Sequence, residues 1–146
     1  MSGIRKFKEN SPIRVFVSHS AADAVLARQV RTLLSRRGNS RVFITDEVSA
    51  GEKWEARLRN ELAEADIVIA LLTPASVDSN WLLMEMGAAW GLRKLILPLV
   101  TTPAVLKRLP IALHGTTAVQ LDMNTPEGNE QFLEAFESTL ATSQIS

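Results

Sequence analysis

Short apolar runs alternate with helical patterns along almost the whole chain, and this alternation constrains the fold more than any other feature. Val15-Phe16-Val17 is β-prone, and after it Leu26, Val30, Leu33 and Leu34 recur at helical spacing until Gly38 stops the pattern. Between them Ser20 can cap the helix, with Asp23 three positions on. Val42-Phe43-Ile44 is a second run, followed by Trp54, Leu58, Leu62 and Ala65 on one helical stripe. Ile67 to Leu72 is continuously apolar, as expected for a central parallel strand covered on both faces. Thr73-Pro74 ends it, Asp78 or Ser79 can cap a helix running to about Leu92, and Leu95 to Val100 reads as a fourth strand. Thr102-Pro103 can open a short helix ending by Pro110, and Ala118 to Leu121 reads as a fifth strand. Thr125-Pro126-Glu127 then supplies a cap, a proline at the first helical position and an acidic first turn, before Phe132, Leu133, Phe136 and Leu140.

Strands separated by single helices imply parallel pairing with right-handed crossovers. The expected fold is α/β: a flavodoxin-like, three-layer doubly wound domain around a five-stranded parallel sheet of order 2-1-3-4-5. It would occupy residues 13–140, with residues 1–12 and 141–146 as loose ends. The 146 residues and 16.1 kDa suit one such domain, and there is no internal repeat or low-complexity segment.

Composition removes whole classes of function. Sixteen Lys and Arg balance sixteen Asp and Glu, so no global field recruits nucleic acid or anionic lipid. The chain has no cysteine, which excludes disulfides, thiol nucleophiles and Cys-ligated metals and suits a cytoplasmic home. Only His19 and His114 could supply imidazole, so no metal site is expected. The first twenty residues are polar and charged, without the apolar core of a signal peptide, and no apolar run reaches the length of a membrane span. Neither GxxxxGK[ST] nor GxGxxG occurs, which demotes P-loop NTPases and standard Rossmann dehydrogenases.

In an open α/β sheet, ligands bind beyond the carboxyl ends of the strands where strand order reverses. For this order the lining would be Ser18-His19-Ser20 on one side and Thr73 onward on the other. From Ser79 to Leu92 the chain reads SNWLLMEMGAAWGL, and Glu85 is its one charged residue. That carboxylate either faces solvent, or points into a cleft or lies buried and paired, because an isolated buried charge is costly. Trp81 lies one helical turn earlier on the same face. An aromatic plate beside a carboxylate suits a flat or sugar-bearing ligand, although core packing is the commoner fate of a tryptophan. Ser18-His19-Ser20 does not suit a Ser–His nucleophile, since neighbours on a strand point to opposite faces. Hydroxyls and backbone N–H groups at a helix start instead suit a phosphate. Gly87 and Gly91 form a GxxxG, for which close helix packing is the expected reason. The acidic segment Asp46 to Glu52 reads either as a plain connection or as an interaction loop, with Val48 and Trp54 as apolar members.

Taken together, VFVSHSAAD at 15–23, VFITDEVSAGEKW at 42–54, ADIVIALLTPAS at 65–76 and SNWLLMEMGAAW at 79–90 resemble the TIR (Toll/interleukin-1 receptor) domain family, and look most like its bacterial members. The resemblance implies NAD⁺ glycohydrolase or cyclase activity, giving nicotinamide and ADP-ribose or a cyclic isomer, in bacterial defence or signalling. Ser79-x-Trp81-x-x-x-Glu85 resembles the SxWxxxE signature, whose glutamate is catalytic. Ser18, His19, Ser20, Asp46, Ser79 and Trp81 would then bind substrate, and no cofactor is implied beyond NAD⁺ itself as substrate. The segment holding Val48, Gly51 and Trp54 resembles the BB loop through which TIR copies assemble head to tail, so homo-oligomers or filaments are implied. Other implied partners are a sensor domain or a separate regulatory chain. Two alternatives belong to other classes: a non-catalytic TIR interaction module, and a nucleoside deoxyribosyltransferase-like enzyme that also uses a glutamate at a ribose carbon.

Overall fold

The computed structural model describes residues 11–44, 53–77, 80–108 and 118–144, with backbone alone at Trp54 and at 81–83. The five strands are β1 (Ile13–Ser18), β2 (Ser40–Ile44), β3 (Ile67–Leu72), β4 (Leu95–Val100) and β5 (Val119–Gln120). They form one sheet of order β2-β1-β3-β4-β5 in which every pairing is parallel. The sequence therefore anticipates both the α/β class and the strand order. Among the described residues, four α-helices connect or follow the strands: α1 (Ala24–Arg37), α2 (Trp54–Glu64), α3 (Asn80–Gly91) and α4 (Pro126–Gln144).

Side chains alternate across each strand, so the sheet separates two cores. Val15, Val17, Ile67, Ile69, Leu97 and Leu99 face α1 and α4, and pack with Val30, Leu34, Phe132 and Phe136. Phe16, Phe43, Val68, Ala70 and Leu72 face the other way, toward Leu58 and Leu62 of α2 and Met86 and Ala89 of α3. All six residues of β3 are buried, which is why that run carries no polar residue.

The punctuation acts as its chemistry requires. Gly38 ends α1 at φ +83, a conformation that a Cβ disfavours, and its N–H donates to the Leu34 carbonyl at 3.1 Å. Thr125 caps α4, its Oγ1 accepting the Gly128 N–H at 3.0 Å. A Cβ on Gly128 would lie 1.8 Å from the Asp122 carbonyl oxygen, so this first turn has room only for hydrogen.

Five details differ from what the sequence suggests. Ser20 donates its hydroxyl to the Asp23 carboxylate at 2.6 Å rather than capping a backbone N–H, and the chain enters α1 through a 3-10 turn at Ala21–Asp23. The segment after β4 is a 3-10 helix, Pro103–Arg108, and the fifth strand shrinks to two residues. α4 runs on past Leu140 to Gln144. Gly87 and Gly91 do not mark helix packing within the chain: both are exposed, and a Cβ on either would meet nothing within 4 Å among the described residues.

Candidate functional site

β1 ends on Ser18, level with Ala70 of β3 in the middle of the sheet. Counting by twos from Phe16 puts Ser18 on the α3 side. There α3 turns Glu85, Met86 and Ala89 inward, and Ser18 Oγ donates to Glu85 Oε1 at 2.9 Å. Ser18 is fully buried and Glu85 is 6% exposed. Glu85 Oε2 is buried as well and has no hydrogen-bond partner among the described residues. Burial pushes the carboxyl up from an ordinary 4.5 to about 7, against the opposing pull of the Ser18 hydrogen bond.

α3 is inverted relative to an ordinary surface helix. Its only charged residue faces in, while Met84 is 60% exposed and Trp90 65%. Of the fates open to the Glu85 carboxylate in the sequence, solvent, a cleft or burial with a partner, the structure shows burial, with one oxygen paired to Ser18 and the other without a partner among the described residues.

A second set of hydrogen bonds ties the segment after β1 to the segment after β3. Asp23 Oδ2 accepts from Ser20 Oγ at 2.6 Å and from Thr73 Oγ1 at 2.7 Å. Thr73 Oγ1 in turn accepts the N–H groups of Ala75 and Ser76, each at 3.2 Å. Ser76 Oγ accepts the Thr73 N–H at 2.9 Å and donates to the Leu71 carbonyl at 2.7 Å. The two loops that flank the switch point are thus held together by side chains. Asp23 is the joint of this tie and was not among the candidate site residues. Its signal was the Ser20-x-x-Asp23 spacing, which reads equally well as a plain helix cap.

The other candidates are placed as follows. His19 is buried, and its Nδ1 donates to the Ser20 carbonyl at 2.6 Å. Trp81 is in α3 one turn before Glu85, and Trp54 is the first residue of α2. Asp46, Val48, Gly51, Ser79 and His114 lie outside the described residues. A cavity of about 400 Å³ opens on the α1 side of the strand ends, lined by Leu26, Gln29, Thr73, Thr101, Asp122 and Met123 among others; Glu85 does not line it. No described helix is long and apolar enough to cross a membrane, and no group of three His, Cys, Asp or Glu among the described residues could hold a metal ion.

The fold has solved counterparts. A metazoan TIR-STING receptor from C. gigas superposes with a TM-score of 0.69 at 19% identity, over 90% of this chain and 42% of the receptor, so this chain spans about two fifths of that protein. The CMP N-glycosidase BcmB of Clostridium botulinum superposes at 0.54 and 18% identity, over 83% of this chain and 98% of its own. The TIR domains of the activated Roq1 resistosome superpose at 0.52 and 15% identity, over 90% and 84% respectively. At such identities the likeness is one of fold. No curated protein matches the chain. Membership is carried by sequence instead: the family model described as TIR domain matches residues 15–139, and the chain belongs to the TIR domain family.

Proposed function

We propose that this TIR domain is an NAD⁺ nucleosidase that cleaves the nicotinamide–ribose bond, with Glu85 as its catalytic carboxylate. The observation that carries the reading is the buried Glu85 Oε2, without a partner among the described residues, in a helix that carries no other charge. A buried, unsatisfied carboxylate oxygen at the switch point of an α/β sheet is a costly feature that a bound cation or sugar would complete.

The chemistry asks for little more. The C1′–N bond breaks with its electron pair moving to the pyridinium nitrogen, so nicotinamide leaves neutral and needs no general acid. Positive charge develops on the ribose, and an ionised Glu85 stabilises it electrostatically while accepting ribose hydroxyls. A pyridinium substrate also favours the ionised carboxyl, opposing the effect of burial. Water then adds to C1′ and loses a proton, giving ADP-ribose; capture by an adenine nitrogen instead gives a cyclic isomer. Trp81 packs against the ribose or nicotinamide, and His19, Ser20, Asp46 and Ser79 lie along the remainder of the dinucleotide. No metal or further cofactor is required by these steps.

Activity depends on assembly, with the loop holding Val48, Gly51 and Trp54 completing the site of the next copy; the Roq1 resistosome, which contains TIR domains, supports this part of the reading. The setting is bacterial defence or signalling in the cytoplasm, triggered by a fused sensor or a separate chain. HPLC of NAD⁺ incubated with concentrated protein tests the core claim: wild type releases nicotinamide and Glu85→Gln does not. Turnover surviving in Glu85→Gln would remove Glu85 from the mechanism, and no turnover by assembled wild type would favour a non-catalytic interaction module. Trp54→Ala is expected to lose turnover together with assembly; full turnover by a proven Trp54→Ala monomer would refute the assembly requirement.

A second reading has its own support. BcmB shares the fold over nearly its whole length, and it cleaves an N-glycosidic bond of a nucleotide. CMP run beside NAD⁺ in the same assay separates the two substrates.

A further inference from the structure

The Ser18-His19-Ser20 segment invites a ligand-cradling role, but its two hydroxyl protons and the His19 Nδ1 are already engaged within the protein. Ser18 gives its single hydroxyl proton to Glu85 Oε1, Ser20 gives its own to Asp23, and His19 Nδ1 donates to the Ser20 carbonyl. Ser18 is fully buried at the end of a central strand, where it pairs with Ala70 of β3, and the residue before it, Val17, is flanked by β2 as well as β3. Glu85, by contrast, reaches the interior on a flexible side chain with three rotatable bonds.

From this geometry we infer that Ser18 is a positioning residue: its hydroxyl anchors Glu85 through Oε1, so that Oε2 is the atom presented to the sugar, and Ser18 itself does not contact the substrate. The inference rests on the proposed role of Glu85 and changes the role of Ser18 within it. A strand end is a rigid reference point, and one hydrogen bond from it removes the rotation that would let the carboxylate turn toward water. It also accounts for the unequal oxygens. The anchored one is satisfied within the protein; the other is buried without a donor among the described residues, where a ligand can complete it.

A role acting through Glu85 differs measurably from one acting on the substrate. Among the surrounding elements, β3 and β4 carry no titratable group, α3 carries only Glu85, and the segment after β1 carries His19 and Asp23, which both bond to Ser20. The Glu85 carboxyl can therefore be followed by ¹³C NMR titration in wild type, Ser18→Ala and Ser18→Thr, beside the pH dependence of kcat and KM for NAD⁺.

Ser18→Ala is expected to raise the Glu85 midpoint by about 0.5 pH unit or more, because the charged form loses its donor. It should also lower kcat roughly tenfold at pH 6.5 while leaving KM within about twofold, and Ser18→Thr, which keeps the hydroxyl, should recover both. An unchanged midpoint, or a raised KM with an unchanged kcat profile, would overturn the inference; the second result would make Ser18 a substrate contact. If wild type does not turn over NAD⁺, the proposed reaction fails, and the NMR midpoint of Ser18→Ala alone decides whether Ser18 anchors Glu85. Should Ser18→Thr not fold, Ser18→Ala, which removes one oxygen and adds nothing, still decides it.

Discussion

At Glu85 two opposing effects meet, and burial wins. The carboxyl titrates at about 7 in the folded protein against 4.5 in a solvated chain, so between those values the folded state holds the proton more tightly than the unfolded one. Stability associated with this group is therefore complete below about pH 4.5 and is lost as pH rises through about 7. Glu85→Gln keeps an acceptor for Ser18 and cannot ionise. It should stabilise the fold by up to about 3 kcal/mol at pH 8 and by close to nothing at pH 4.5. Urea unfolding at the two pH values checks this, and an equal effect at both would contradict the titration. If catalysis uses the ionised carboxyl, kcat/KM for NAD⁺ rises with pH through about 7 and then levels off. A buried carboxyl that lowers stability above about pH 7 fits the catalytic role proposed for Glu85 better than a purely structural one.

At the scale of elements, glycine makes the sharpest contrast. Gly87 and Gly128 both lie in helices, but a Cβ at Gly87 meets nothing within 4 Å among the described residues, whereas a Cβ at Gly128 runs into the Asp122 carbonyl. Gly87→Ala should stabilise the isolated domain by about 0.5–1 kcal/mol, through helix propensity alone. Gly128→Ala should destabilise it, because the collision is with backbone that can yield only by moving the start of α4. Thermal melts of the two variants test both signs. The loop tie is a second feature of this scale. Thr73→Val removes the donor to Asp23 and the acceptor for two N–H groups, and should cost about 1–3 kcal/mol in urea unfolding. The element boundaries show what was legible in sequence. Gly38, Thr125 and Pro126 are local stop and start signals, and they act at those positions. GxxxG is a statement about a neighbour, and sequence spacing does not say whether a neighbour is there.

Across the whole molecule, β3 is the common wall of both cores. Ile69 packs toward α1 and α4, and Val68 toward α2 and α3, with no exposed surface on either. Ile69→Ala should cost about 2–5 kcal/mol, lowering the urea midpoint at unchanged slope, since the cavity opens where neither face can collapse freely. What the sequence by itself determined is the succession of five strands and their helices, together with the family, because apolar periodicity and turn chemistry are local properties carried within each segment. What only the tertiary structure decided is the state of Glu85. α3 is apolar on nearly every side, so its pattern contains no inward stripe from which to read a direction, and the donor to Glu85 lies 67 residues away on β1. Its burial, its single anchor and its one open oxygen exist only once the parallel sheet has brought the end of β1 beneath α3.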